Sequence, residues 1–155
     1  MKLILSAVFA LSVTALSAHA DTAFHIIQAQ PKLVHIDVGT DGASHGDLMA
    51  FEATFTTEDG GSGILSGILI TVDIPEGDGV FFDRIGNIAL DFGGVDSLVV
   101  GGHSTYAAGV GEMAVDLPQV RAIIGGTGRF IGARGQMTTT RRDAGHYDHK
   151  IELVD

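Results

Sequence analysis

Tyr147 and His149 stand two residues apart in Gly145–Leu153, GHYDHKIEL. In an extended strand that spacing puts both on one face, with Ile151 and Leu153. The other face carries His146, Asp148, Lys150 and Glu152, a solvent face. A phenol and an imidazole among aliphatics could exchange a proton with a bound molecule near neutral pH. The blander alternative is a buried pair that satisfies each other or the backbone. His35 and Asp37 repeat the spacing in Val34–Val38, VHIDV. Alternation alone does not say whether that polar set or Val34, Ile36 and Val38 faces inward. Arg84 shares a face with Phe82, Ile88, Leu90 and Phe92, where it could stabilise a developing anion or simply pair with a carboxylate. Tyr106 shares parity with Leu98 and Val100, and Phe51 with Met49, Ala53 and Phe55, so both are candidate ligand-contacting residues.

Other chemistries lack the residues they need. His146 and His149, three apart, would point to opposite faces of a strand, so no metal site is expected. No G-x-S-x-G elbow occurs and the chain has no cysteine, which leaves a hydrolase without a nucleophile. The stretch Ala122–Thr140, AIIGGTGRFIGARGQMTTT, is glycine-rich but fits neither nucleotide template. From Gly126 and Gly128 the third fingerprint position falls on Ile131, one short of Gly132, and no lysine is present for a P-loop. It reads as an ordered strand–turn–strand connection.

The elements that must hold these residues are strands. Eight runs alternate with period two or are strand-like: Leu33–Val38, Met49–Phe55, Ile64–Ile74, Phe82–Phe92, Ser97–Tyr106, Val120–Ile124, Arg134–Arg141 and Gly145–Leu153. Turn chemistry separates them at Asp41–Gly42, Asp59–Gly61, Pro75–Gly77, Gly93–Gly94 and Ala144–Gly145. No amphipathic helix competes. The expectation is an all-β domain, a closed barrel or a sandwich. Ile64–Ile74 is apolar on both faces, which points to an outer surface covered by another copy of the chain, as a dimer or trimer.

Residues 1–20 read as a secretory leader. Met1–Lys2 gives a positive start, Leu3–Leu16 is apolar, and Ala18–His19–Ala20 supplies a small-x-small cleavage pattern. The apolar run falls short of the roughly 20 residues that span a bilayer. Cleavage after Ala20 leaves 135 residues, ample for one core, destined for the periplasm or the exterior. Without cysteines, packing alone must hold that product together. It keeps eight basic residues against nineteen acidic, a surface that repels nucleic acid and anionic membrane.

Gly125–Gly135, GGTGRFIGARG, resembles the glycine-rich signature of the dirigent proteins and their barrel relatives, the allene oxide cyclases. Gly46–Phe55, Ser62–Ile74 and Gly145–Leu153 are similar, in order, to further strands of that barrel, so the resemblance runs from about Lys32 to Leu153. It implies an eight-stranded antiparallel barrel over residues 32–155 behind an extension at 21–31, often trimeric, with an apolar cavity. It also implies cofactor-free steering of the cyclisation or isomerisation of an apolar, oxygen-bearing small molecule. An acidic residue on the first strand lines the family's pocket, which makes Asp37 a catalytic candidate beside Tyr147 and His149. His35, Phe51, Arg84 and Tyr106 are then ligand-binding candidates. The competing expectation is a non-catalytic binding or structural barrel.

Overall fold

The computed structural model describes residues 20–72, 81–107 and 111–154. The expected leader, apart from Ala20, and the Pro75–Gly77 turn lie outside these residues. Nine strands follow one another: β1 (Ala20–Gln28), β2 (Lys32–Ile36), β3 (Leu48–Thr57), β4 (Ser62–Val72), β5 (Phe81–Asp91), β6 (Ser97–Ala107), β7 (Gln119–Thr127), β8 (Arg134–Arg141) and β9 (Tyr147–Val154). A single 3-10 turn, Gly128–Phe130, is the sole helical element among the described residues.

All pairings within the sheet are antiparallel. Neighbours in sequence pair from β2 through β9, and β1 lies between β9 and β3, which closes the sheet. β1 and β2 are two halves of one barrel strand. Gln28 faces Phe55 and Lys32 faces Glu52, so the register against β3 slips by a single residue across Ala29–Pro31. Pro31 has no N–H to give the ladder, and a bulge there is the usual outcome. Ala29 keeps the strand tethered, its N–H donating to the Thr54 carbonyl at 2.9 Å. Counted this way the fold is the expected closed eight-stranded barrel, with β1 and β2 as one staggered strand.

The barrel therefore begins earlier than Lys32. Residues 21–28, expected as part of an extension, form the closing strand together with Ala20, with Ile26 and Gln28 buried inside. The adjacent Ile26 and Ile27, and an inward glutamine, blur the alternation that would have disclosed it.

The interior has two unlike halves. At one end Phe55, Leu90, Leu98, Met137 and Ile151 pack with Phe130, and Phe24, Phe92 and Phe130 crowd together at ring separations of 5.0 to 6.4 Å. The 3-10 turn carries Phe130 into this end like a plug, and Asp96 accepts the Arg129 N–H at 3.0 Å. At the other end Met49, Leu69, Tyr106, Met113 and Tyr147 form a separate cluster, with Leu33 and Phe51 against it. These side chains do not fill the barrel. The cavity is here.

Candidate functional site

The cavity opens between the β1–β2 break, which supplies Pro31 and Leu33, and Gly111–Met113 from the β6–β7 connection. Met49, Phe51, Leu65, Leu69 and Ile88 make its apolar wall. Polar groups enter from strands whose inward parity reaches this end: Gln28 on β1, Tyr106 on β6, Arg121 on β7, Thr139 on β8, and Tyr147 and His149 on β9. Its volume is ≈ 50 Å³, within ≈ 460 Å³ of atom-free space that includes the mouth. That is a narrow slot, roomier than one water needs.

Tyr147 and His149 both point inward, stacked with ring centroids 6.4 Å apart. Their chemistry differs. His149 is 2 % exposed, its Nε2 sits 2.9 Å from Gln28 Oε1 and its Nδ1 2.9 Å from Thr139 Oγ1. The amide oxygen only accepts, so Nε2 carries the proton and Nδ1 takes the threonine hydroxyl's. Burial, then the field of Arg121, pushes its pKa down to about 3. This imidazole is neutral and fully engaged, a structural histidine rather than a base.

Tyr147 is a hydrogen-bond donor rather than a buried spectator. Its hydroxyl donates to Glu112 Oε1 at 3.2 Å. Burial first and the adjacent carboxylate second push the phenol well above its ordinary pKa, so it keeps its proton at neutral pH. Glu112 is held in turn by Arg141, whose Nη2 donates to its Oε2 at 2.8 Å.

A second cluster lies across the cavity. Arg121, 4 % exposed, donates from Nη2 to the Tyr106 hydroxyl at 3.2 Å and to Gln119 Oε1 at 3.5 Å. Arg84 lays its guanidinium 4.4 Å from the Tyr106 ring centroid and donates to the Gly111 carbonyl at 3.4 Å. Burial pulls its pKa down, opposed by Tyr106 and Asp47. Phe51 lines the apolar wall.

Asp37 and His35 are not with Tyr147 and His149. They line a separate hollow of ≈ 230 Å³ with Asp47, Thr71, Phe82 and Arg84. Asp37 lies just past β2, exposed, accepting the Gly42 N–H at 2.9 Å as a loop tie. The expectation that the first strand meets the last is met by β1, whereas β2 pairs with β3 alone. Asp37 is therefore on the cavity's parity but beyond its edge.

Glu112, Arg121, Arg141, Gln28 and Thr139 have no counterpart among the sequence candidates. Glu112 sits in a connection with no periodicity to orient it. On β7 the pattern misleads, because Val120 and Ile124 are 53 and 59 % exposed while Arg121 and Ile123 face in. An arginine alternating with an isoleucine was the available signal.

A closed antiparallel barrel, plugged by aromatics at one end and keeping a polar-edged cavity at the other, defines a dirigent-like barrel fold. The structure is similar to a pyocyanin demethylase (TM-score 0.62, 14 % identity, covering 85 % of this chain and 98 % of that one). It is similar to a pterocarpan synthase dirigent protein (0.56, 17 %, 95 and 96 %). It also matches a nonspecific heme-binding cyclase that catalyses a [4 + 2] cycloaddition in neoabyssomicin biosynthesis (0.61, 15 %, 86 % of this chain). The chain spans 63 % of that cyclase's length. Likeness at these identities establishes the fold. No protein-family model matches the sequence, and no curated protein does.

Proposed function

We propose that this barrel takes an apolar, oxygen-bearing small molecule into its open-end cavity and steers its cyclisation or isomerisation. The observation that carries this reading is the Tyr147–Glu112 pair in the same cavity as the apolar wall of Met49, Phe51, Leu65, Leu69 and Ile88. A slot this narrow accepts one folded conformation of a flexible ligand, and that restriction alone lowers the barrier to ring closure. The Glu112 carboxylate takes up one proton and returns it, while the Tyr147 hydroxyl steadies by hydrogen bonding an oxygen that gains charge. One proton given and one taken is the balance an isomerisation requires. The structural neighbours' names, a demethylase, a cyclase and a synthase, support the reading.

The test begins with incubation of the purified protein in a metabolite extract and identification of what co-purifies. Conversion of that compound should fall about a hundredfold in Tyr147→Phe and in Glu112→Gln, the order expected for a positioned hydrogen-bond donor or base, with binding retained. Failure to retain any small molecule would remove the proposal. A second reading, ligand binding without chemistry, is favoured by the saturated hydrogen bonding of His149. Retention of a compound that emerges unchanged would select it.

The reading includes export, with cleavage after Ala20. Intact mass of the protein recovered from the periplasm or medium checks this, the expected species beginning at Asp21.

A further inference from the structure

Arg121 stands out inside the barrel. Nη2 uses its hydrogens on Tyr106 and Gln119. Nε and Nη1, which hold the guanidinium's other three N–H groups, meet no acceptor among the described residues. No carboxylate forms an ion pair with it among those residues either, since Glu112 is engaged by Arg141. A buried guanidinium whose only partners are neutral oxygens is costly unless a counter-charge arrives. Arg121 lines the cavity; its Nε is buried, with Leu69 filling the space beside Gly86, whereas Nη1 is not among the buried unpartnered atoms.

We propose that Arg121 is the specificity-determining anchor of the cavity, and that the ligand is a weakly acidic hydroxy compound, a phenol or enol, bound as its oxyanion. The inference rests on the cavity being a ligand site. The oxyanion replaces the missing carboxylate, accepting from Nη1 of the guanidinium, while the ligand's carbon frame lies on Met49, Phe51 and Leu69. The charged and titratable groups lining this space besides Arg121 are Glu112, Tyr106, Tyr147 and His149, and behind them Arg84 lies on the Tyr106 ring and Arg141 on the Glu112 carboxylate. Glu112 and Arg141 offset each other, His149 is neutral, and Tyr147 keeps its proton. The field that remains is positive. The downward push of Arg121 on His149 is that same field acting on a resident group.

The experiment compares 4-nitrophenol with 4-nitroanisole, near in shape but incapable of ionising. Binding of each to the purified protein is followed by intrinsic fluorescence, and the ionisation of bound nitrophenol by its phenolate absorbance across pH. The expected result is an apparent nitrophenol pKa lowered by at least about one unit on binding, a tenfold preference for the phenolate. Arg121→Lys should keep most of that shift and Arg121→Gln should abolish it, with nitroanisole affinity changed less than about threefold in both. Nitrophenol bound with its ionisation unshifted, or a shift that survives Arg121→Gln, overturns the assignment while leaving the cavity a ligand site. If neither compound binds, the ligand-site reading falls and this inference with it. The wild-type titration decides the question even where Arg121→Gln does not fold.

Discussion

His149 shows how one residue can be legible in place and illegible in role. Its spacing from Tyr147 predicts an inward histidine, and the barrel puts it inside. The partners that silence it, Gln28 and Thr139, come from strands 121 and 10 residues away. Neutral burial has a consequence for stability. The folded pKa, about 3, lies below the ordinary value of 6.5, so the unfolded chain binds the extra proton between them. This contribution is fully present above pH 6.5 and is lost as pH falls toward 3. We expect stability to drop by about 1 kcal/mol per pH unit between pH 6.5 and about 4.5, above the carboxylate range. In His149→Gln that limb should flatten, from a neutral-pH stability lower by about 1–3 kcal/mol for the disturbed hydrogen bonds. Urea unfolding across pH checks it, and an unchanged slope would contradict the neutral-histidine assignment.

The glycine-rich connection is an element whose sequence spelled out its job. Its spacing fits no phosphate loop, and the structure makes it the β7–β8 link that carries Phe130 into the barrel end. Gly128 has φ +59°, and a Cβ there would lie 2.8 Å from the Val95 carbonyl oxygen. Gly132 also has positive φ, +81°, yet nothing lies within 4 Å of its would-be Cβ. Gly132→Ala should therefore cost about 1 kcal/mol, the left-handed strain alone. Gly128→Val adds a backbone clash and should cost at least about 3 kcal/mol or prevent folding. Thermal melts of the two variants separate these effects, and equal losses would show that the close approach to Val95 is unimportant. The β1–β2 strand is the opposite case. Its break at Ala29–Pro31 hides one strand as two, and its first half lacks clean alternation.

On the whole molecule, the outer face of β2–β5 is apolar in cross-strand rows. Ile36, Leu48, Ile70 and Ile85 follow one another across the sheet, as do Val34, Ala50 and Ile68. Val34, Ile36, Ile68 and Ile85 are each 47 to 59 % exposed. Charge flanks these two rows, at Lys32 and Glu52, but does not enter them, in a chain of net charge −10. We propose that a second copy covers this face, in a dimer or trimer. Sedimentation equilibrium should give a multiple of the chain mass, and Ile68→Lys should reduce it to the monomer with the β-sheet spectrum intact. A monomeric wild type at tens of micromolar would rule this out.

Alternation by itself determined that the chain is all-β, where most strands run, and which residues of β3, β5, β6 and β9 share the inward face, because period two is a local property. It could not choose the inward face where both are apolar, as on β4, or where the arginine side is the buried one, as on β7. Those choices depend on closure, since a residue's surroundings in a barrel are set by the strands that meet across it. Closure put Arg121 beside Tyr106, Glu112 between Tyr147 and Arg141, and Asp37 outside. The candidate site is a product of pairings between distant segments, and only the tertiary structure decided them.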